Sequence, residues 1–133
     1  MNFRTFKQNK LFRDKISGML EPLGSKLYWI ELSDQDFQKQ LKIKLIEEAH
    51  EVQHADSKEN ILEELADILE VVDALRQSYG FTTKQLSDCK EKKRNEKGGF
   101  DGKKFITFAE HPINSPAEKY CLENPDKYPE IKN

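Results

Sequence analysis

The residues best equipped for chemistry in this sequence are two acidic runs. Glu47-Glu48-Ala49-His50-Glu51 lies in one stretch predicted as helix, and Glu63-Glu64-Leu65-Ala66-Asp67 lies in the next, after a break at Asp56-Ser57. On a helical wheel each residue advances roughly 100°, so positions three or four apart share a face. Ile61, Leu62, Leu65, Ile68, Leu69, Val71, Val72 and Leu75 then belong to one broad apolar arc, and Glu64 falls inside it, between Val71 and Leu75. Asp67 sits about 60° away, at the edge of the arc. On the preceding helix Leu41, Leu45, Ala49 and Val52 make the buried stripe, Glu48 borders Leu41, and Glu51 lies about 60° further round. Each helix offers an i, i+3 carboxylate pair where its apolar and polar faces meet.

Carboxylates gathered at low dielectric repel one another, so some must take up protons or find a cation. A hard divalent ion with oxygen ligands answers this. Mg²⁺ suits it because it favours a few carboxylates together with water and substrate phosphate, and Mn²⁺ accepts the same ligands. On spacing alone the alternative stays open that these are ordinary charges on solvated faces of Glu-rich helices.

A second pattern overlaps the first. His50-Glu51-Val52-Gln53-His54 spells HExxH, which on a helix could place two zinc ligands at i and i+4 with Glu51 as general base of a small zinc peptidase. Against it, the motif sits on the polar side of its helix near Gln53 and Asp56, Glu70 is the only third ligand to propose, and little β-structure precedes it to hold a peptide. Glu47-x-x-His50 echoes di-iron bundles, but the partner helix supplies Glu64-x-x-Asp67 instead of a second Glu-x-x-His. His111 is isolated.

The rest of the chain must position these groups. At 133 residues it suits one domain with one modest core. Charged residues make up 35% and hydrophobic ones 36%, which suits a small helical protein with a large wet surface or a subunit that completes its core by oligomerising. A formal net charge of -2 argues against stable nucleic-acid binding. Cys89 and Cys121 form no CxxC pair and read as reduced thiols. The basic start, Met1 to Lys15, lacks the apolar core of a signal peptide, and no apolar run reaches membrane-spanning length. The expectation is a soluble cytoplasmic protein without a membrane partner.

In chain order, Lys10-Leu11-Phe12-Arg13-Asp14-Lys15-Ile16 interleaves apolar residues with three cations, as a phosphate-holding helix or turn or as a solvated amphipathic segment. Glu21-Pro22-Leu23-Gly24-Ser25 is a break. Lys26 to Leu32, rich in aromatic and β-branched residues, reads as a short strand or extended arm whose lone Trp29 suits core or dimer contact, or a stack on a base. Ser33 with Asp36 starts a long helix to about Ala55, and Ser57 caps the next, which stops at Gly80. Thr82 with Gln85 opens a third that ends at Gly98-Gly99. Its last turns crowd Lys90, Lys92, Lys93, Arg94 and Lys97, which complement the helix dipole and could neutralise a polyphosphate. A short strand is conceivable over Lys104 to Phe108. The tail from Glu110, with four prolines, is expected to be irregular.

Glu47-Glu48-x-x-Glu51, followed by Glu64-x-x-Asp67, resembles the metal signature of the MazG-like all-α nucleoside triphosphate pyrophosphohydrolases. Lys10-Leu11-Phe12-Arg13-Asp14-Lys15-Ile16 is similar to the Lys-Leu-Val-Arg-Asp-Lys-Ile block of one branch, and Lys93-Arg94-Asn95-Glu96-Lys97-Gly98-Gly99-Phe100 to that branch's Lys-Arg-x-x-Arg-Gly-Gly-Phe ending. The likeness covers about residues 9 to 106. Phe12 replaces the usual Val, Lys97 replaces an Arg and so loses bidentate phosphate geometry, and the tail has no counterpart.

The resemblance implies an all-α MazG-like bundle over residues 1–108, completed as a homodimer or homotetramer, with residues 109–133 as an appended tail. It implies Mg²⁺-dependent hydrolysis of a nucleoside triphosphate to monophosphate and pyrophosphate, often as house-cleaning of unwanted nucleotides. By carry-over Glu48, Glu51, Glu64 and Asp67 hold the metal, and Glu47 orients or deprotonates water. Arg13, Lys15, Lys93, Arg94 and Lys97 are the candidate phosphate contacts. A phosphoribosyl-ATP pyrophosphohydrolase and a non-catalytic helical interaction module are the alternatives.

Overall fold

The computed structural model describes residues 2–132. The protein is all-α, and no strand occurs among the described residues. In chain order come α1 (Ile16–Leu20), a 3₁₀ turn (Glu21–Leu23), α2 (Asp34–His54), α3 (Lys58–Ser78), α4 (Thr83–Lys97) and α5 (Pro116–Glu123). The chain divides into two units, Met1–Asn95 and Glu96–Asn133.

The first unit is built on the α2–α3 hairpin, whose ends are set by side chains. The Ser33 hydroxyl accepts from the Asp36 N–H at 3.2 Å, and Asp34 and Asp36 place negative charge at the positive end of the helix dipole. Ala55 leaves the helix in an extended conformation, and the Ser57 hydroxyl accepts from the Asn60 N–H at 3.1 Å to open α3. A connection this short forces the two helices to run antiparallel as neighbours, and the amide of Gln38 near the start of α2 donates to the Ser78 carbonyl at the end of α3. At that end Gly80 has φ +75°, Phe81 N–H donates to the Arg76 carbonyl and Gly80 N–H to the Gln77 carbonyl, a Schellman termination that needs the glycine. Thr82 and Gln85 then cap α4 reciprocally: Gln85 N–H donates to the Thr82 hydroxyl at 3.0 Å and Thr82 N–H to the Gln85 side chain at 2.8 Å.

Packing inside the hairpin centres on Leu41 of α2 and Val71 of α3, the two apolar side chains buried among the described residues. Much of the remaining apolar surface of α3 stays uncovered. Leu62, Leu65 and Leu69 are 70%, 46% and 68% exposed, and with the half-buried Val72 they follow the alternating three- and four-residue spacing of a bundle seam. No helix among the described residues is long and apolar enough to cross a membrane.

Four segments differ from the sequence expectation or refine it. Neither Lys26–Leu32 nor Lys104–Phe108 forms a strand; Tyr28, Ile30, Phe105 and Ile106 project their side chains into solvent. Propensity for an extended backbone becomes a strand only when a neighbouring strand supplies the ladder of hydrogen bonds, and none is at hand. The tail, expected to be irregular, carries α5 instead. Ser115 caps it by accepting from the Glu118 N–H at 3.2 Å, and Pro116 occupies the first helical positions, where a missing N–H costs nothing. The 3₁₀ turn runs through the expected break at Pro22 and ends on Gly24 at φ +97°.

Candidate metal centre

The packing face of the hairpin also delivers its carboxylates. On α2, Glu48 lies seven residues after Leu41, two turns along the same face, and its side chain is only 12% exposed. On α3, Asp67 and Glu64 lie one and two turns before Val71. Burying Leu41 and Val71 therefore turns these three acids toward one another. Glu48, Glu64 and Asp67 each present a carboxylate oxygen within 4.8 Å of the other two.

Three carboxylates this close cannot all keep their ordinary acidity. Glu64 is pushed above its usual value of 4.5, first by burial, then by a hydrogen bond shared with Glu48, then by the charges of Asp67, Glu48 and Glu51. Glu47, one residue from Glu48 but turned to the polar side, moves the other way. Lys10 donates to it at 3.1 Å and lowers its pKa against the opposing effect of burial, helped by Lys44. Lys44 stands between the two acids, with Nζ 3.7 Å from Glu47 and 3.8 Å from Glu48. From the N-terminal segment Arg13 Nη2 donates to Asp67 Oδ1 at 2.7 Å.

The donor set fits a divalent cation of the hard, oxygen-loving kind. Three carboxylates are too few to strip and enclose such an ion, but they suit Mg²⁺ or Mn²⁺, which keep waters and admit phosphate oxygens. Glu48, Glu64 and Asp67 would hold it.

Of the residues the sequence singles out, the structure brings together Glu48, Glu64, Asp67 and Arg13. Glu51 is exposed and outside the trio, yet near enough for its charge to act on Glu64. Glu47 faces Lys10 and Lys44. Lys15 is exposed and forms no ion pair among the described residues, and Lys93, Arg94 and Lys97 are exposed along α4. The cations that touch Glu47 and Glu48 are Lys10 and Lys44, neither of which is among the candidate phosphate contacts that the resemblance implies. Lys44 was legible at i, i+3 and i, i+4 from these acids; Lys10, 37 residues from Glu47, carried no local signal.

The histidines are not drawn into this cluster. His50 and His54 are exposed on α2, and the His54 Nδ1 sits 2.8 Å from the His50 carbonyl, engaged with its own helix. Neither belongs to the group of convergent ligands found among the described residues. His111 is exposed and both cysteines are free. Further along the hairpin a pocket of about 530 Å³ is lined by Lys42, Leu45, Val72, Leu75, Arg76, Tyr79, Phe81 and Leu86. Arg76 already serves Asp73 and the Phe81 carbonyl there.

No family model matches the chain, and neither the curated proteins nor the solved structures give a match.

Proposed function

We propose that this chain is a Mg²⁺-dependent nucleoside triphosphate pyrophosphohydrolase of MazG-like type, releasing monophosphate and pyrophosphate. The observation that carries the reading is the convergence of Glu48, Glu64 and Asp67 from two helices, with Arg13, Lys10 and Lys44 gathered around them. Acids to hold a cation beside bases to hold phosphate are what a triphosphate asks of a site.

A bound divalent cation supplies charge neutralisation at the phosphate oxygens and acidifies water. The chain's own groups do the rest. Glu48, Glu64 and Asp67 fix the position of that charge. Arg13, Lys10 and Lys44 offer cationic hydrogen bonds to the polyphosphate and to the departing pyrophosphate. Glu47 is held ionised by Lys10 and Lys44, so its carboxylate can orient a water by accepting its proton in a hydrogen bond; it becomes a stronger base once those cations turn to substrate. Water adds at the α-phosphorus as the bridging bond to the β-phosphate breaks.

The uncovered seam of Leu62, Leu65, Leu69 and Val72 supports a homodimer or homotetramer, since a second hairpin would bury it. A cytoplasmic setting, where nucleotides abound, and the absence of a stable nucleic-acid partner belong to the same proposal.

Hydrolysis in ¹⁸O-labelled water tests the reaction. Label in the monophosphate is the expected result; label in the pyrophosphate would place attack on the β-phosphorus and contradict the proposal.

A further inference from the structure

We infer that the N-terminal segment around Lys10 and Arg13 is a cationic strap that competes with a divalent cation for the carboxylates, holding them whenever no cation is bound and released when one binds. The inference rests on the metal-site reading above and adds its regulation.

The contacts that define the strap are tertiary. Arg13 reaches Asp67 across 54 residues of sequence at 2.7 Å, and Lys10 reaches Glu47 across 37 at 3.1 Å. Both acids belong to the runs that form the candidate metal centre, and Asp67 is one of its three converging ligands. A guanidinium on Asp67 and a divalent ion on the same carboxylate repel each other over a few ångströms, so occupancy by one weakens occupancy by the other. The strap neutralises part of the acidic cluster in the cation's place.

Its hold is weak enough to be reversible. The Arg13 and Asp67 side chains are 61% and 39% exposed, and pairs so open to water shift an equilibrium by roughly two- to five-fold. Release also has a built-in reporter. Phe12, next to Arg13, packs edge-on against Trp29, with ring centroids 6.3 Å apart and planes at 66°, and Trp29 is the lone tryptophan of the chain. Movement of the strap changes the surroundings of the one indole. The freed guanidinium is then available to phosphate.

The test is a Mg²⁺ titration of the full chain without nucleotide, followed by calorimetry and by Trp29 emission. The parent is expected to show an emission change whose midpoint coincides with Mg²⁺ binding. Arg13→Ala is expected to bind Mg²⁺ roughly two- to five-fold more tightly and to show emission that no longer responds to Mg²⁺. Lys7→Ala, which removes one exposed positive charge from the same segment, is expected to leave the affinity unchanged. Equal or weaker Mg²⁺ binding by Arg13→Ala overturns the inference, as does a matching gain in Lys7→Ala, which would make the effect one of general charge. A parent that binds Mg²⁺ with no change at Trp29 overturns the strap alone, whereas a parent that binds no Mg²⁺ overturns the metal reading beneath it.

Discussion

Glu64 of α3 presents a carboxyl oxygen within 4.8 Å of one on Glu48 of α2, so at this point of the hairpin two acids face each other. Acids crowded this closely favour the protonated form, and the pKa of Glu64 rises, first through burial and then through its neighbours Glu48, Asp67 and Glu51. The folded chain therefore binds more protons than the unfolded chain between the ordinary value of 4.5 and the raised one. Stability contributed here is present below that window and is lost as pH climbs through it.

Glu64→Gln removes this dependence, because an amide carries no charge at any pH. In a chelating buffer the variant is expected to melt at a higher temperature than the parent at neutral pH, with the gap closing as the pH falls through the raised value toward 4.5. Comparing parent and variant cancels Glu47 and Asp73, whose lowered pKa values act with the opposite sign. Melting temperatures across the pH range check it; a gap independent of pH would contradict the rise at Glu64.

Added Mg²⁺ should reverse the order. The parent gains stability on binding by mass action, and the Gln variant, with one ligand neutralised, gains little. Thermal shift in a Mg²⁺ series reads this directly.

Leu41 is 4% exposed at the centre of the hairpin, so Leu41→Ala leaves a cavity where few other side chains can close in. A loss of about 3 kcal/mol is expected in urea unfolding. Leu69, at 68% exposure, tells a different story. Leu69→Glu should cost the isolated subunit little, yet shift sedimentation from an assembly to a monomer if the seam is the place where copies meet. Unaltered sedimentation of an assembled variant would put the contact elsewhere.

His50→Ala is expected to leave both Mg²⁺ binding and nucleotide hydrolysis intact, since His50 is exposed and outside the converging ligands. Zinc retained through purification by the parent and lost in this variant would favour the HExxH reading instead.

How much of this was legible beforehand follows from the range of the forces involved. Ser33, Ser57, Gly80 and the Thr82–Gln85 pair act within a few residues, and they mark the ends of α2, α3 and the start of α4 in the sequence itself. The trio of Glu48, Glu64 and Asp67 was legible because helix periodicity fixes which acids share a face with Leu41 and Val71. The contacts of Lys10 and Arg13 were not, because they depend on where a distant segment comes to lie. In the tail, Ser115-Pro116-Ala117-Glu118 was a capping signal for α5 hidden among prolines, while the aromatic run at Tyr28–Ile30 suggested a strand that lacked a partner.

The most direct test of the whole account is pyrophosphate release with Mg²⁺ across ordinary and modified nucleoside triphosphates and phosphoribosyl-ATP, with Glu64→Gln alongside. Monophosphate and pyrophosphate from the parent, and none from the variant, is the result expected. A folded, Mg²⁺-loaded parent that leaves every substrate intact, or a Glu64→Gln variant as active as the parent, would contradict it.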